Sequence, residues 1–203
     1  MSISAAGLAG FIASLDVAIA REEQRLNAAD GKLGDGDTGS MLRRVIQAMA
    51  AANVEAASGL SEAAMRLAQA AMKETGSSLG TLVATAATTL AKEAKAAEDK
   101  LDTADLGRVV AAIRDAVAAR GKAAPGDKTV VDSVAAIARA LEEGPATRAT
   151  AAAAARAVLD EFRDRPCRIG RARRFSERSK GEDDPGMLAV ALLLDDKEME
   201  NDG

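Results

Sequence analysis

Asp30-Gly31-Lys32-Leu33-Gly34-Asp35-Gly36-Asp37-Thr38-Gly39 puts three aspartates into eight residues, between one amphipathic helical pattern and the next. Carboxylates this close repel one another, so the stretch calls for a cation. Carboxylate oxygens select a hard divalent ion, and a chain with no histidine and one cysteine offers little to zinc or copper. An EF-hand loop does not fit, because counting from Asp35 puts Gly39 at loop position five and Ile46 at position twelve. Mg²⁺ completed by phosphate oxygens fits better, since that ion is usually held by a few carboxylates plus substrate and water. Gly34 to Gly39 also spells G-x-G-x-x-G. A helical pattern precedes it where a dinucleotide fold would place a strand, however, and its aspartates would repel a pyrophosphate.

Upstream, Leu8, Phe11, Ile12, Leu15 and Ile19 recur at helical spacing and the pattern stops near Asn27. This predicts a first helix over about residues 4–26, with the aspartates in a loop at its C-terminal end. Downstream, a second helix starts at Thr38 or Gly39 and reaches the low fifties, and a third covers about 61–73. Gly76-Ser77-Ser78-Leu79-Gly80-Thr81 opens a fourth, which extends to about Ala97. Leu106, Val109, Val110, Ile113 and Val117 mark a fifth that ends before Gly121; Val130, Val134, Ile137 and Leu141 mark a sixth that ends before Gly144. Residues 149–162 form a seventh helix and 187–194 belong to an eighth. No segment alternates as a strand would. The polar, basic stretch from about Cys167 to Pro185 is long enough to be a functional loop.

Composition points the same way. The 203 residues are 48% hydrophobic, rich in alanine, free of Trp and Tyr and supplied with three Phe. The expectation is one all-α domain over residues 1–203, with helices packed through small side chains. Short links imply antiparallel neighbours, in an eight-helix bundle or closed barrel. The absence of histidine excludes a Ser-His-Asp triad and a phosphohistidine on this chain. A net charge of −4 and the scarcity of aromatics give no footprint for nucleic acid. No long apolar run suggests a membrane span, and the single Cys167, expected to be an inert packed thiol, points to a cytoplasmic protein.

In an antiparallel array alternate links share one rim. The 1–2, 3–4, 5–6 and 7–8 links therefore meet: the aspartate loop, the Gly76–Thr81 segment, the loop Pro125-Gly126-Asp127-Lys128-Thr129 and the arginine-rich loop. Thr38-Gly39-Ser40 and Gly76-Ser77-Ser78 lead into helix N-termini, which favour phosphate, although such residues are also ordinary caps. With the aspartates, Lys128 and Arg171 on the same rim, they form the parts of a polyphosphate site for phosphoryl transfer.

The segments G-D-G-D-T-G, R-G-K-A-A-P-G-D-K-T, G-R-A-R and D-D-P-G, in this order, resemble the nucleotide-binding L subunit of dihydroxyacetone kinase over nearly the whole chain. The resemblance implies an eight-helix antiparallel barrel with ADP or ATP at one rim, and a pair of Mg²⁺ ions on Asp30, Asp35 and Asp37. It further implies phosphate contacts from Thr38, Gly39, Thr75, Gly76 and Ser77, an adenine pocket at Gly121 and Val130, and Arg171, Asp184 and Gly186 closing over the nucleotide. Arg171 and Lys128 would stabilise charge during transfer. Many members carry His and Asn where this chain has Thr38 and Met41, and the Gly-rich segment is shorter around Ser77 and Ser78.

In such kinases a separate K subunit holds the keto sugar through a histidine, so this chain should need that partner. Its donor would be ATP, or bound ADP recharged by a phosphohistidine carrier of the phosphotransferase system. Two other readings stand beside this one: a non-catalytic nucleotide-bound regulator that docks onto a partner protein, and a lipid-binding barrel.

Overall fold

The Ser4 hydroxyl accepts the Gly7 N–H and starts helix α1 (Ala5–Leu33), which buries one stripe that includes Ile12, Ile19, Leu26 and Leu33. The helix continues past Asn27, where the apolar periodicity fades, because Ala28 and Ala29 sustain it and Asp30 is anchored from outside. Asp30 Oδ2 accepts the N–H groups of Asp37 (3.0 Å) and Thr38 (3.2 Å). Asp30 therefore projects from the last turns of a helix, and only Asp35 and Asp37 belong to the loop.

The structure, a computed structural model, describes residues 1–74, 76–169 and 176–195. After α1 come α2 (Thr38–Ala50), α3 (Leu60–Glu74), α4 (Ser78–Ala96), α5 (Leu106–Gly121), α6 (Val130–Glu143), α7 (Arg148–Phe162) and α8 (Pro185–Leu194). Each packs on the next in sequence, and α8 packs back onto α1, so the array closes into a ring. Small side chains permit the close approach: Ala63, Ala64, Ala68 and Ala71 of α3 face a neighbour whose buried positions are Gly80, Ala84, Ala87, Ala91 and Ala94. Gly39 lets α2 lie against α1 so closely that a Cβ there would fall 2.1 Å from the Glu23 carbonyl oxygen.

Helix α8 is apolar almost throughout, with Met187, Leu188, Ala189, Ala191, Leu192 and Leu193 buried. Proline at its first position and the Asp184 carboxylate, which accepts the Met187 N–H at 2.9 Å, set its start. Its far end is held by Arg148, whose guanidinium donates to the carbonyls of Leu193 and Leu194 and to the Ser14 hydroxyl of α1.

At the rim opposite the aspartates, Asp99 from the α4–α5 link caps α3 by accepting Ser61 N–H at 2.6 Å and Ser61 Oγ–H at 3.0 Å. Leu60, Ala94, Leu101 and Val109 form a small second core there. A β-bridge pairs Ser2 with Asp102 and ties the start of the chain to this link. Among the described residues no helix is long and apolar enough to cross a membrane.

Candidate functional site

The four links expected to share a rim open onto one pocket of about 440 Å³, within the range of small-molecule sites. Asp30, Asp35, Asp37 and Thr38 form one wall, and Ser77, Ser78, Thr81 and Leu82 another. Arg120, Gly121, Ala123 and Thr129–Val131 come from the α5–α6 region, and Ile169, Asp184, Pro185 and Gly186 from the α7–α8 region.

Carboxylate oxygens of Asp30, Asp35 and Asp37 lie within 4.8 Å of one another. Asp37 is the residue that precedes α2, so the cluster stands at that helix's positive end. The α1–α2 crossing that carries it is clasped from behind. Asn27 accepts Ser40 N–H at 3.1 Å and donates to Ser40 Oγ at 2.9 Å; the Ser40 hydroxyl and Arg43 then both donate to Glu23. Arg43 and Ser40 together hold the Glu23 carboxyl below its usual range. The expected phosphate role of Ser40 thus meets a side chain turned to α1, and Gly39 answers first to the close approach of Glu23. Neither residue lines the pocket.

Ser77 lines the pocket and caps α4, accepting the Gly80 N–H at 3.0 Å. Gly76 does not line it; Ser78, the next residue on, does. Thr75 and Arg171 lie outside the described residues. Gly121 ends α5 beside Leu82, and Val130 begins α6 beside Gly186, where a Cβ would come 3.5 Å from that of Val130. Asp184 faces the same space with its carboxyl pushed up to about 6, chiefly by burial and also by Asp132. The N–H groups of Met187 and Gly186 and the Lys128 ammonium pull it back down.

Lys128 is the clear departure from expectation. Its side chain is 1% exposed and lines no part of the pocket. Its ammonium donates to three backbone carbonyls, so the role of a cation at the reacting phosphate does not hold. Burial lowers its pKa, and Cys167, Asp184 and Asp183 oppose that shift. Cys167 is buried beside it with its thiol pushed up by desolvation, which agrees with an inert packed role.

Sequence reading missed the apolar half of the pocket. Leu33, Met41, Leu79, Leu82 and Ile169 line it from four separate stretches of chain, and helical periodicity assigns such residues to the core. Arg120 was within reach, since it stands directly before Gly121 in the R-G-K run.

Comparison with known proteins identifies the family and the fold. The DAK2 domain matches residues 32–197, and the chain belongs to that family. It is 34% identical to the D-erythrulose kinase of Mycolicibacterium smegmatis over 197 residues, covering 86% of this chain and 32% of that enzyme. It is 29% identical to the ADP-binding subunit DhaL of the PTS-dependent dihydroxyacetone kinase of Lactococcus lactis, covering 84% of each. Its fold matches the dihydroxyacetone kinase of C. freundii in complex with AMP-PNP and Mg²⁺ with a TM-score of 0.71 at 23% identity, over 96% of this chain and 34% of that one.

Proposed function

We propose that this DAK2-domain chain binds a Mg-nucleotide in the rim pocket and passes its terminal phosphate to a keto sugar held by a K-type partner subunit. The observation that carries the reading is the convergence of three carboxylates within 4.8 Å in a pocket that also has an apolar wall and the starts of α2, α4 and α8. An acidic cluster alone would repel a polyphosphate; with a divalent ion between them, cluster and helix N-termini favour it.

Asp30, Asp35 and Asp37 would hold the metal, proposed as two Mg²⁺ ions, which would offset phosphate charge during transfer. The hard oxygen donor set fits such an ion. Ser77 and Thr38 stand at the two helix starts and position phosphate oxygens. Leu82, Gly121 and Val130 form the wall against which an adenine packs, and the lack of a Cβ on Gly121 leaves room beside Leu82. Arg171 keeps the proposed role of stabilising charge on the moving phosphoryl group. No histidine is present to bind a sugar covalently, so the acceptor comes from the partner. A cytoplasmic setting follows with that partnership. The donor is ATP, or ADP kept in the site and recharged by a phosphohistidine carrier, as the name of the Lactococcus relative suggests.

The deciding experiment is to purify the chain in Mg²⁺, strip free nucleotide by buffer exchange, and identify the retained ligand by mass spectrometry. Retained ADP at one per chain supports the recharged-coenzyme form, and reversible Mg-ATP binding supports the ATP form. A chain that binds neither overturns the reading.

A further inference from the structure

The Lys128 ammonium donates to Arg163 O at 2.7 Å, Arg165 O at 2.8 Å and Ser179 O at 2.7 Å. The first two carbonyls lie just past the end of α7, and the third belongs to the Glu177–Ser179 turn ahead of α8. One buried cation thus joins the two ends of the α7–α8 link. Further bonds draw on the same point: Gly181 N–H to Arg163 O at 2.9 Å, Cys167 N–H to Ser179 Oγ at 2.8 Å, and Arg168 N–H to Asp127 O at 3.1 Å. Lys128 holds this place with a φ of 61°, in the left-handed region that few non-glycine residues adopt.

Pocket wall adjoins the tie on each side. Thr129 and Val130 follow Lys128 directly; Ile169 lies two residues past Cys167, and Asp184 and Gly186 follow the Ser179 turn. The two walls touch where Gly186 meets Val130. Whatever fixes the α7–α8 link to Lys128 therefore sets the distance across this part of the pocket.

We propose that Lys128 is a positioning residue whose ammonium fixes the α5–α6 and α7–α8 walls against each other and so sets how long a nucleotide stays bound. The proposal rests on the nucleotide reading above. Lys128 acts through Val130 and Asp184–Gly186 and need touch neither nucleotide nor metal.

The test is stopped-flow release of a fluorescent ADP analogue, in Mg²⁺, from wild type and from Lys128→Ala, with folding checked by circular dichroism. Removing the ammonium leaves three carbonyls short of a partner, and release should become about tenfold faster. The truncation leaves a hole shaped for n-propylammonium, which at millimolar concentration should slow release back toward wild type; n-propanol, the neutral analogue, should not. Unchanged release in folded Lys128→Ala overturns the proposal. So does faster release that propylammonium fails to reverse, or that propanol reverses equally, because either result reports lost packing. If Lys128→Ala does not fold, Ser179→Ala loosens the same tie by removing the acceptor of Cys167 N–H. Release about threefold faster is then expected, and an unchanged rate overturns the proposal. Wild type that binds no analogue removes the nucleotide reading together with this one, whereas wild type that binds beside an unaltered variant removes this one alone.

Discussion

Two helices in this ring are capped by an aspartate from elsewhere in the chain, at opposite rims. Asp99 caps α3 with both of its oxygens, one on Ser61 N–H and one on the Ser61 hydroxyl. Asp30 caps α2 with Oδ2 alone, on Asp37 N–H and Thr38 N–H, and it does so next to Asp35 and Asp37. The first arrangement satisfies its carboxylate and stops there. The second gathers three negative charges at one helix end, more than two N–H groups and a helix dipole require. The same residue type in the same local role is structural at one rim and, at the other, belongs to the carboxylate cluster proposed to hold a cation.

The largest effect that would break this contrast is loss of binding. Asp35→Asn with Asp37→Asn should weaken Mg-nucleotide binding by on the order of 100-fold or more while the helical circular dichroism signal survives. Retained affinity in titration calorimetry would make the cluster merely a turn. Next in size is the glycine contrast. Gly39→Ala forces a Cβ into the rigid Glu23 carbonyl and should cost about 3 kcal/mol in denaturant unfolding. Gly107→Ala, at the other rim, meets Glu142 Cγ at 2.5 Å and the Glu142 backbone nitrogen at 2.9 Å, a less severe overlap, and should cost about 2 kcal/mol. Equal losses would deny that the α1–α2 crossing is the tighter one. Asp99→Ala should cost about 1 kcal/mol of stability and leave nucleotide affinity unchanged.

The finest probe is pH, because the two rims should titrate with opposite signs. Ser58, with help from Arg66, holds Glu62 at about 2 against an ordinary 4.5. Its contribution is complete above pH 4.5 and is lost as pH falls toward 2, so the melting temperatures of Glu62→Gln and wild type should converge on acidification. Asp184 is raised to about 6 from 3.8. The folded state therefore binds the extra proton between these values, and stability falls as pH rises through them. Asp184→Asn, whose amide oxygen can still cap α8, should gain on wild type from pH 4 to pH 7. A gap that stays flat across that range would show that burial does not disfavour the charged carboxylate.

Helix count, order and the shared rim were legible because apolar periodicity and Gly or Pro punctuation are local signals. The end of α1 was not: what carries it to Leu33 is a bond from Asp30 to residues of the next element, and no window of sequence contains that information. Lys128 failed for a related reason. A lysine in a Pro-Gly loop on the shared rim reads as a cation facing a phosphate, and its three carbonyl partners are 35, 37 and 51 residues away. Ser40 and Gly39 matched a phosphate pattern that helix packing also produces, and packing accounts for them here. That the aspartates would meet was legible because so short a span keeps three like side chains together, and their carboxylate oxygens lie within 4.8 Å of one another.

Ring closure has a kinetic meaning. Asp30 comes from the first helix and Asp184 from the segment leading into the eighth, and they share a wall system only when α8 docks on α1 under the clamp of Arg148. That contact spans nearly the whole described sequence, so its loop-closure entropy is among the highest in the fold. In refolding, nucleotide capture should thus appear no earlier than the slowest tertiary phase. The ligand would serve as a clock for the last step of assembly, and a helix without a polar face would be the part that waits for it.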